Sequence, residues 1–177
     1  MAEIITEMIS EQEIDKRVRE LGKQISEDYA GKEVVLICIL KGASFFMCEL
    51  AKRIEVPVAI DFMSVTSYGK AMESSGIVRI IKDVDDPVEG KDIIIVEDIV
   101  DSGRTMYNLI ELFKERNAAS IRTCTLLDKP SRRVVEQDVD YIGFTVPDKY
   151  VVGYGMDYAQ KYRTLPYIGT IRFTDED

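Results

Sequence analysis

The sequence predicts an α/β fold in which a mostly parallel central sheet is flanked by helices. Short runs of apolar, mainly β-branched residues alternate along the chain with segments whose apolar residues recur every three or four positions. Turns rich in glycine and polar residues follow several of these runs. Such turns lie at the carboxyl ends of the strands, where open parallel sheets bind their ligands. With 177 residues, 46% hydrophobic and 31% charged, the chain is expected to form a single domain, residues 1–177.

Each element is assigned from the spacing of its apolar residues. Helices are predicted at residues 11–29 and 43–54, and a third is predicted to open at residues 102–105 and to end at Asn117. Strands are predicted at residues 34–40, 57–65, 77–82, 93–96, 121–127, 140–146 and 167–171. Residues 66–76, rich in serine and glycine, form a polar loop between strands that is either a hairpin tip or a lid.

The charge and the residue types exclude several classes of protein. A net charge of −9 and a pI near 4.7 argue against a nucleic-acid-binding surface, which requires clustered basic residues. The sequence contains no histidine, so Ser–His–Asp and Cys–His nucleophilic sites and histidine-rich metal sites are excluded. A general base must therefore be Asp, Glu, Lys, Tyr or Cys, and a bound metal is expected to be an oxygen-coordinated ion such as Mg²⁺.

No segment of the sequence predicts export or membrane insertion. The acidic N-terminus lacks the regions of a signal peptide, and the longest apolar run, Val34 to Leu40, is too short to span a membrane. Cys38, Cys48 and Cys124 lie in apolar runs without a CxxC pair, which predicts buried reduced thiols. We therefore expect a cytoplasmic protein without a membrane partner.

The stretch from Ile93 to Thr105, IIIVEDIVDSGRT, combines a buried strand, acids and a helix start. A glycine-containing turn at a helix N-terminus offers unpaired N–H groups and the positive end of the helix dipole, which suits a phosphate monoester. The acids Glu97 and Asp98 suit sugar hydroxyls, a divalent cation, or both. The pattern therefore indicates a sugar phosphate. The alternative is a solvated acidic turn whose Asp101 or Ser102 caps the next helix.

Residues 96–105, VEDIVDSGRT, resemble the phosphoribosyl pyrophosphate (PRPP) signature of the type I phosphoribosyltransferases. Motifs around them are similar to those of the 6-oxopurine branch, the hypoxanthine (guanine) phosphoribosyltransferases in their short bacterial form. The resemblance extends from Val34 to Ile171. It implies the type I phosphoribosyltransferase fold with a small hood, and Mg²⁺-dependent purine salvage from PRPP and hypoxanthine or guanine to IMP or GMP and pyrophosphate. It also implies a homo-oligomer, either a dimer or a tetramer.

The resemblance assigns the PRPP half of the site residue by residue. Asp101 is implied to be the general base that takes the purine N7 proton. The residues implied to bind the 5′-phosphate and ribose are Glu97, Asp98, Asp101, Ser102, Gly103, Arg104 and Thr105. Leu40-Lys41-Gly42 matches the pyrophosphate-binding turn, which has a cis peptide before the lysine, although the residues alone also fit a plain turn before a helix. Arg163 matches a pyrophosphate-binding arginine. The implied metal ligands are Glu97, Asp98 and Asp157.

The purine half is implied to come from later segments. Lys129, which from its place before a proline would be an exposed loop charge, matches the lysine that donates to the 6-oxo oxygen. Residues 147–158, PDKYVVGYGMDY, resemble the purine pocket. Tyr150 would stack on the base, the Val151 backbone would read its Watson–Crick edge, and Asp157 would lie near the exocyclic group and a metal-bound water. The implied purine-binding set is Lys129, Tyr150, Val151, Asp157 and Ile99.

Around these motifs we expect a core of about residues 30–145 and 165–171, and a hood of the N-terminal segment and about residues 146–164. Ser67 and Tyr68 match a Ser-Tyr dipeptide on the family's mobile loop, here about residues 66–76, which closes over the substrates and excludes water. Ser131-Arg132-Arg133 is interpreted as a solvated loop.

Two other functions compete with the transferase. A regulator on the same fold that senses PRPP or nucleotides and binds nucleic acid would be expected to have a basic face and an eroded catalytic set, whereas this chain is acidic and keeps the set. An enzyme of the same fold could instead use a pyrimidine, adenine or xanthine. Lys129 favours a 6-oxopurine but does not rank hypoxanthine, guanine and xanthine. Many family members have lysine where this chain has Arg104 and phenylalanine where it has Tyr150, so charge and ring are kept.

Overall fold

The computed structural model describes residues 2–67 and 78–174, with Ser67 described by its backbone alone. The helices of this part are α1 Glu11–Asp28, α2 Ser44–Ala51 and α3 Arg104–Glu115, with a 3₁₀ turn at Pro130–Arg132. The strands are β1 Ala2–Ile9, β2 Val34–Ile39, β3 Val58–Ser67, β4 Val78–Lys82, β5 Asp92–Val100, β6 Ser120–Asp128, β7 Tyr141–Thr145, β8 Val151–Val152 and β9 Ile168–Thr174.

The central sheet has six strands in the order β4-β3-β2-β5-β6-β7, and only β4 runs antiparallel to its neighbour. Alternate side chains of β5 supply both faces of the sheet. Ile94 and Val96 pack in the cluster that also contains buried residues of α1 and α2, and Ile93 and Ile95 pack with α3. The predicted mostly parallel sheet with helices on both faces is confirmed.

A second, smaller sheet has the order β1-β9-β8 and is antiparallel throughout. Residues 165–171 were expected to belong to the same unit as the central sheet. This prediction is wrong, because β9 lies between β1 and β8 in the smaller sheet. Strand β1 was not predicted, since its sequence AEIITEMI does not alternate cleanly between apolar and polar residues. β1 and β9 pair along almost their whole length, which joins the two ends of the chain in one unit.

Strand β5 is longer than the apolar run that predicted it. The run at residues 93–96 lies inside a strand that extends to Val100, so Glu97 and Asp98 are strand residues rather than the turn that follows. Successive residues of a strand point to opposite faces. The Glu97 side chain therefore starts on the face of α3 and the Asp98 side chain on the face of α2, but their carboxyl groups remain close enough to interact.

The path of the chain places a crevice between β2 and β5. From β2 the next parallel strand is added on one side of the sheet, and from β5 the next is added on the other. The turns after β2 and β5 therefore diverge and leave an opening at the carboxyl ends of the strands, where ligands bind in such sheets.

The prediction that all three cysteines are buried is wrong for one of them. Cys38 and Cys124 are buried, but Cys48 is exposed, because α2 turns Phe46, Met47 and Leu50 towards the core. All three carry free thiols. Among residues 2–67 and 78–174, no helix is both long enough and apolar enough to cross a membrane.

Candidate active site

The turn from β5 to α3 contains residues 101–105, which we call the phosphate loop after the role predicted for them. Helix α3 begins at Arg104, and its N-cap is Gly103 with a φ of +83°, a backbone conformation that side chains other than glycine rarely adopt. The N-cap position is therefore Gly103 and neither Asp101 nor Ser102, although the Ser102 Oγ accepts a hydrogen bond from the Arg104 N–H at 3.3 Å, as the capping alternative expects of this residue in part. A cavity of about 230 Å³ opens beside the loop and is lined by Glu97, Asp101, Ser102, Gly103 and Thr105, with apolar residues of β2, β3, β5 and α3.

The two adjacent acids at the end of β5 carry closely spaced negative charge. Glu97 is buried, and burial followed by the charge of Asp98 raises the pKa of the Glu97 carboxyl well above its usual value of 4.5. Burial also raises the pKa of Asp98 above 3.8, although its carboxylate accepts a hydrogen bond from the Ile99 N–H at 2.8 Å. Such a pair favours a cation or hydroxyl donors, because either would lower the cost of ionisation.

The predicted metal ligands are not gathered into a complete coordination site. Among the described residues, no group of three or more acidic or cysteine side chains is placed to hold a metal ion. The adjacent carboxylates of Glu97 and Asp98 nevertheless fit Mg²⁺, which in proteins commonly takes one or two carboxylates and completes its shell with water and substrate oxygens.

The turn after β2 carries the predicted pyrophosphate residues. The Leu40–Lys41 peptide is cis. The Lys41 Nζ lies 3.5 Å from the Gln160 Oε1, and the Arg163 guanidinium donates to the same oxygen at 3.1 Å. Arg163 also pairs with Asp157 at 3.2 Å and donates to the Gly155 carbonyl at 2.6 Å. Lys41 and Arg163, which are far apart in the sequence, therefore meet at one acceptor.

Gly42 lies where three parts of the site approach one another. A Cβ placed on Gly42 would be 1.9 Å from the Asp98 Oδ2, and one placed on Gly155 would be 2.2 Å from the Gly42 carbonyl oxygen. Gly155 also has a φ of +100°. These close approaches require glycine at both positions, and they bring β2, β5 and the hood into contact.

The predicted purine residues line a second cavity of about 250 Å³. Its lining contains all five members of the predicted set, Ile99, Lys129, Tyr150, Val151 and Asp157, together with Asp98, Asp101 and Met156. Lys129 is buried rather than an exposed loop charge, and its Nζ donates to the Lys149 carbonyl at 2.6 Å. The Tyr150 ring is half exposed and makes an edge contact with Tyr158, with ring centroids 5.7 Å apart.

The two cavities share part of their lining. Ile99 and Asp101 contribute to both, so the phosphate-loop cavity and the purine-set cavity adjoin at these residues. The Asp101 side chain is exposed, and its Oδ1 accepts a hydrogen bond from the Ser102 N–H at 2.6 Å. The Asp101 carboxylate therefore lies at the boundary between the two cavities.

Sequence reasoning missed two contributors to the site. Gln160, the shared acceptor of Lys41 and Arg163, lies in a turn with a φ of +66° that no local pattern announces. Arg133 was interpreted as part of a solvated loop, but its side chain is only 18% exposed and pairs with the buried Asp128. Nothing in the run of basic residues indicates that Arg133 is less exposed than Arg132.

The predicted mobile loop falls mostly outside the described residues. Ser67 is the last residue of β3. Tyr68 and the rest of the predicted segment, residues 69–76, lie outside the described residues, so their lid role stays a prediction.

Comparisons with known proteins identify the family of the chain. Residues 6–159 match the family described as phosphoribosyl transferase domain. The hypoxanthine-guanine phosphoribosyltransferase of Bacillus subtilis is 53% identical over 165 residues, which are 93% of this chain and 92% of that protein. A solved structure of a hypoxanthine phosphoribosyltransferase from Staphylococcus aureus is 46% identical, with a TM-score of 0.91 and coverage of 94% of this chain and 91% of that chain.

A third relative is a longer protein. The bifunctional protein TilS/HprT of Listeria monocytogenes is 50% identical over 165 residues, or 93% of this chain, and the match spans about a quarter (26%) of that relative's length. The family match covers most of the chain, and it includes the acids of β5, the phosphate loop and the purine-set residues up to Asp157. On these grounds the chain belongs to the phosphoribosyltransferase family.

Proposed function

We propose that the chain transfers the 5-phosphoribosyl group of PRPP to hypoxanthine, guanine or both, yielding IMP or GMP and pyrophosphate. The observation that carries this proposal is the pair of adjoining cavities. One is lined by the phosphate loop, the other by the predicted purine set, and Asp101 belongs to both. The close relatives named hypoxanthine-guanine phosphoribosyltransferase support the same choice.

The phosphate loop holds the 5′-phosphate of PRPP. Its N–H groups at the start of α3 and the hydroxyls of Ser102 and Thr105 donate to the phosphate oxygens. Glu97 and Asp98, at the end of the adjoining strand, accept hydrogen bonds from the ribose hydroxyls. Binding both ends of the sugar phosphate fixes C1′ towards the purine cavity, which lowers the entropic part of the barrier.

The leaving pyrophosphate is held by the cations that meet at Gln160. As the bond between C1′ and the pyrophosphate oxygen breaks, Lys41 and Arg163 compensate the charge that develops on that oxygen. Mg²⁺, held by Glu97, Asp98 and substrate oxygens when bound, would supply further charge neutralisation to the pyrophosphate. The predicted contribution of Asp157 to the metal is through water.

The purine completes the reaction. Its N9 forms the new bond to C1′, and Asp101 takes the N7 proton, so that the product nucleotide is neutral at the base. Lys129 donates to the 6-oxo oxygen from a buried position, which favours a 6-oxopurine over adenine, whose 6-amino group is a donor. Tyr150 stacks on the base, and the backbone at Val151 reads its Watson–Crick edge.

The setting of the reaction follows from the family and the thiols. The three free thiols suit the reducing cytoplasm, where we place the protein. We place it there as a homo-oligomer, a dimer or a tetramer by analogy with the family, with PRPP and the base as its small-molecule partners.

The test is a transfer assay with PRPP and Mg²⁺ in which hypoxanthine, guanine, xanthine and adenine are offered separately. Turnover of hypoxanthine or guanine that ceases when Mg²⁺ is chelated is the expected result. Preferential turnover of adenine would overturn the base assignment, and PRPP binding without turnover of any base would favour a PRPP sensor instead.

A further inference from the structure

Arg133 contacts the phosphate loop from outside the cavity, and the proposed reaction gives it no role. It follows the 3₁₀ turn at Pro130–Arg132, and its side chain is 18% exposed, against 54% for the neighbouring Arg132. Its NH2 group donates to the Asp128 Oδ1 at 2.5 Å, and the Asp128 side chain is only 8% exposed. Asp128 is the last residue of β6 and precedes Lys129, so one end of this ion pair is attached to the purine side of the site.

The other guanidinium nitrogen reaches the phosphate loop. Arg133 NH1 donates to the Asp101 carbonyl oxygen at 3.2 Å. The next two residues continue the contact, because the N–H groups of Val134 and Val135 both lie within hydrogen-bonding distance of the Ser102 carbonyl oxygen, at 3.0 and 3.2 Å. Two successive carbonyl groups of the loop are thus bound by residues 133–135.

Because the peptide bond is planar, these contacts to the carbonyl groups also determine the direction of the N–H groups of the loop. In a trans peptide the C=O and the following N–H point in opposite directions. When the carbonyls of Asp101 and Ser102 face residues 133–135, the N–H groups of Ser102 and Gly103 face away from them. The cavity beside the loop is lined by Ser102 and Gly103 and by none of residues 133–135, so we infer that these N–H groups face it.

The loop also packs directly on this segment. A Cβ on Gly103 would lie 3.0 Å from the Arg133 Cδ and 3.1 Å from the Val135 carbonyl oxygen, so no space separates the two. Close packing and hydrogen bonds together leave the loop a single orientation against residues 133–135.

On the basis of the proposed function, we propose that Arg133 is a positioning residue for PRPP. Its guanidinium spans from Asp128, at the end of the strand that carries the purine lysine, to the Asp101 carbonyl. This contact holds the phosphate loop with the Gly103 N–H directed at the 5′-phosphate, while the Ser102 N–H donates to the Asp101 carboxylate. Arg133 itself does not touch the substrate. Its effect is therefore expected in PRPP affinity and not in the affinity for the base.

The test uses Arg133→Lys with Arg132→Lys as the matched control. Lysine keeps the charge that neutralises Asp128, but a single ammonium group cannot serve two acceptors in the divergent geometry of a guanidinium. We expect Arg133→Lys to weaken PRPP binding, measured by calorimetry without base, by roughly tenfold or more, which corresponds to one lost charged hydrogen bond. The KM for PRPP should rise in parallel, the KM for hypoxanthine should stay within about twofold, and Arg132→Lys should change neither.

A second variant guards against a folding defect. In the double variant Asp128→Asn/Arg133→Met no unpaired buried charge remains, so a merely structural ion pair predicts normal PRPP affinity, whereas a positioning role predicts the same loss as in Arg133→Lys. Unchanged PRPP affinity in both variants, or equal losses for PRPP and hypoxanthine that follow the loss of Tm, would overturn the proposal. If the unaltered protein binds PRPP but transfers it to no base, the proposed function fails and the PRPP affinities still decide the role of Arg133. If it binds no PRPP, both fail.

Discussion

The phosphate half and the purine half of the site are built in different ways. The phosphate half is one continuous stretch, from the acids of β5 to the start of α3, and in the proposed function much of it acts through backbone groups. The purine half collects single side chains from the ends of β5 and β6 and from the hood. The backbone contacts of the phosphate half can be altered only by changing the path of the loop, whereas the purine half can be changed one side chain at a time. We therefore expect mutations in the two halves to separate cleanly in their effects on the two substrates.

The largest expected effect is at the boundary of the two halves. Asp101→Asn keeps the shape of the side chain but cannot accept the N7 proton, so kcat should fall by roughly 10²–10⁴ while the KM for PRPP changes by less than about threefold. Steady-state kinetics measure both constants, and Asp148→Asn, an exposed acid near Lys129, is the control. If PRPP binding were lost together with kcat, Asp101 would be a structural residue and would not mark a functional boundary between the two halves.

The purine half is tested alone by Lys129→Met. The substitution keeps the volume of the buried side chain but removes the donor to the 6-oxo oxygen, and the KM for hypoxanthine should rise by roughly 10–100-fold. The KM for PRPP should not move. Lys149→Met removes a nearby exposed charge while keeping the carbonyl that Lys129 contacts, so it should leave both constants unchanged. Equal changes for the two substrates would show that the halves are not separable.

The phosphate half is tested by Gly103→Ala, with Gly31→Ala as its control. Both glycines have positive φ, +83° and +78°, so each alanine should cost about 1–2 kcal/mol of unfolding free energy through backbone strain. Only the Cβ at residue 103 meets close neighbours, whereas nothing lies within 4 Å of one at residue 31. Chemical denaturation should therefore show a larger loss of stability for Gly103→Ala than for Gly31→Ala. PRPP titration should show a loss of affinity for Gly103→Ala alone. Weakened PRPP binding in Gly31→Ala would mean that strain acts at a distance.

The smallest effect concerns the acid pair and depends on pH. Because the folded protein raises the pKa of Glu97, ionising this carboxyl costs stability, and the cost grows as the pH rises above 4.5, its ordinary value. Glu97→Gln removes the cost, so its Tm should exceed that of the unaltered protein at pH 8, by roughly 2–4 °C, and the difference should shrink towards pH 4.5.

Asp83 provides a comparison of opposite sign. The Arg116 guanidinium holds the pKa of the Asp83 carboxyl below its ordinary 3.8, so this group contributes stability above that pH and loses it as the pH falls. Asp83→Asn should therefore lower the Tm at neutral pH, and the deficit should disappear in acid. Thermal unfolding at a series of pH values measures both variants. If the change in Tm relative to the unaltered protein had the same dependence on pH for Glu97→Gln and Asp83→Asn, the opposite pKa shifts of the two carboxyls would be contradicted.

How much of each half could be predicted from the sequence follows from the same difference. The phosphate half lies in a local pattern, since a buried run, two acids and a glycine turn before a helix already indicate a sugar-phosphate site. The purine half has no local pattern. Its set, from Ile99 to Asp157, was assigned by resemblance alone, and the structure brings all five members to one cavity.

The errors have physical causes as well. Arg133 looked like a solvated charge because nothing local in the sequence reveals that Asp128, five residues earlier, is buried against it. The sequence assigns the residues of β9 to the core because an apolar run indicates a strand but not the sheet in which that strand pairs. Gln160 could not be found because its position depends on a turn of several positive-φ residues. In each case the missing information is tertiary contact.

The most direct test of the two-half site is a crystal structure with IMP, a ligand that should span both cavities. The predicted result has the phosphate on the N–H groups of residues 102–105, the base between Ile99 and Tyr150 with its 6-oxo oxygen within hydrogen-bonding distance of the Lys129 Nζ, and the Asp101 carboxylate beside N7. A phosphate bound away from the loop, or a base outside the cavity that contains Lys129, would contradict the account.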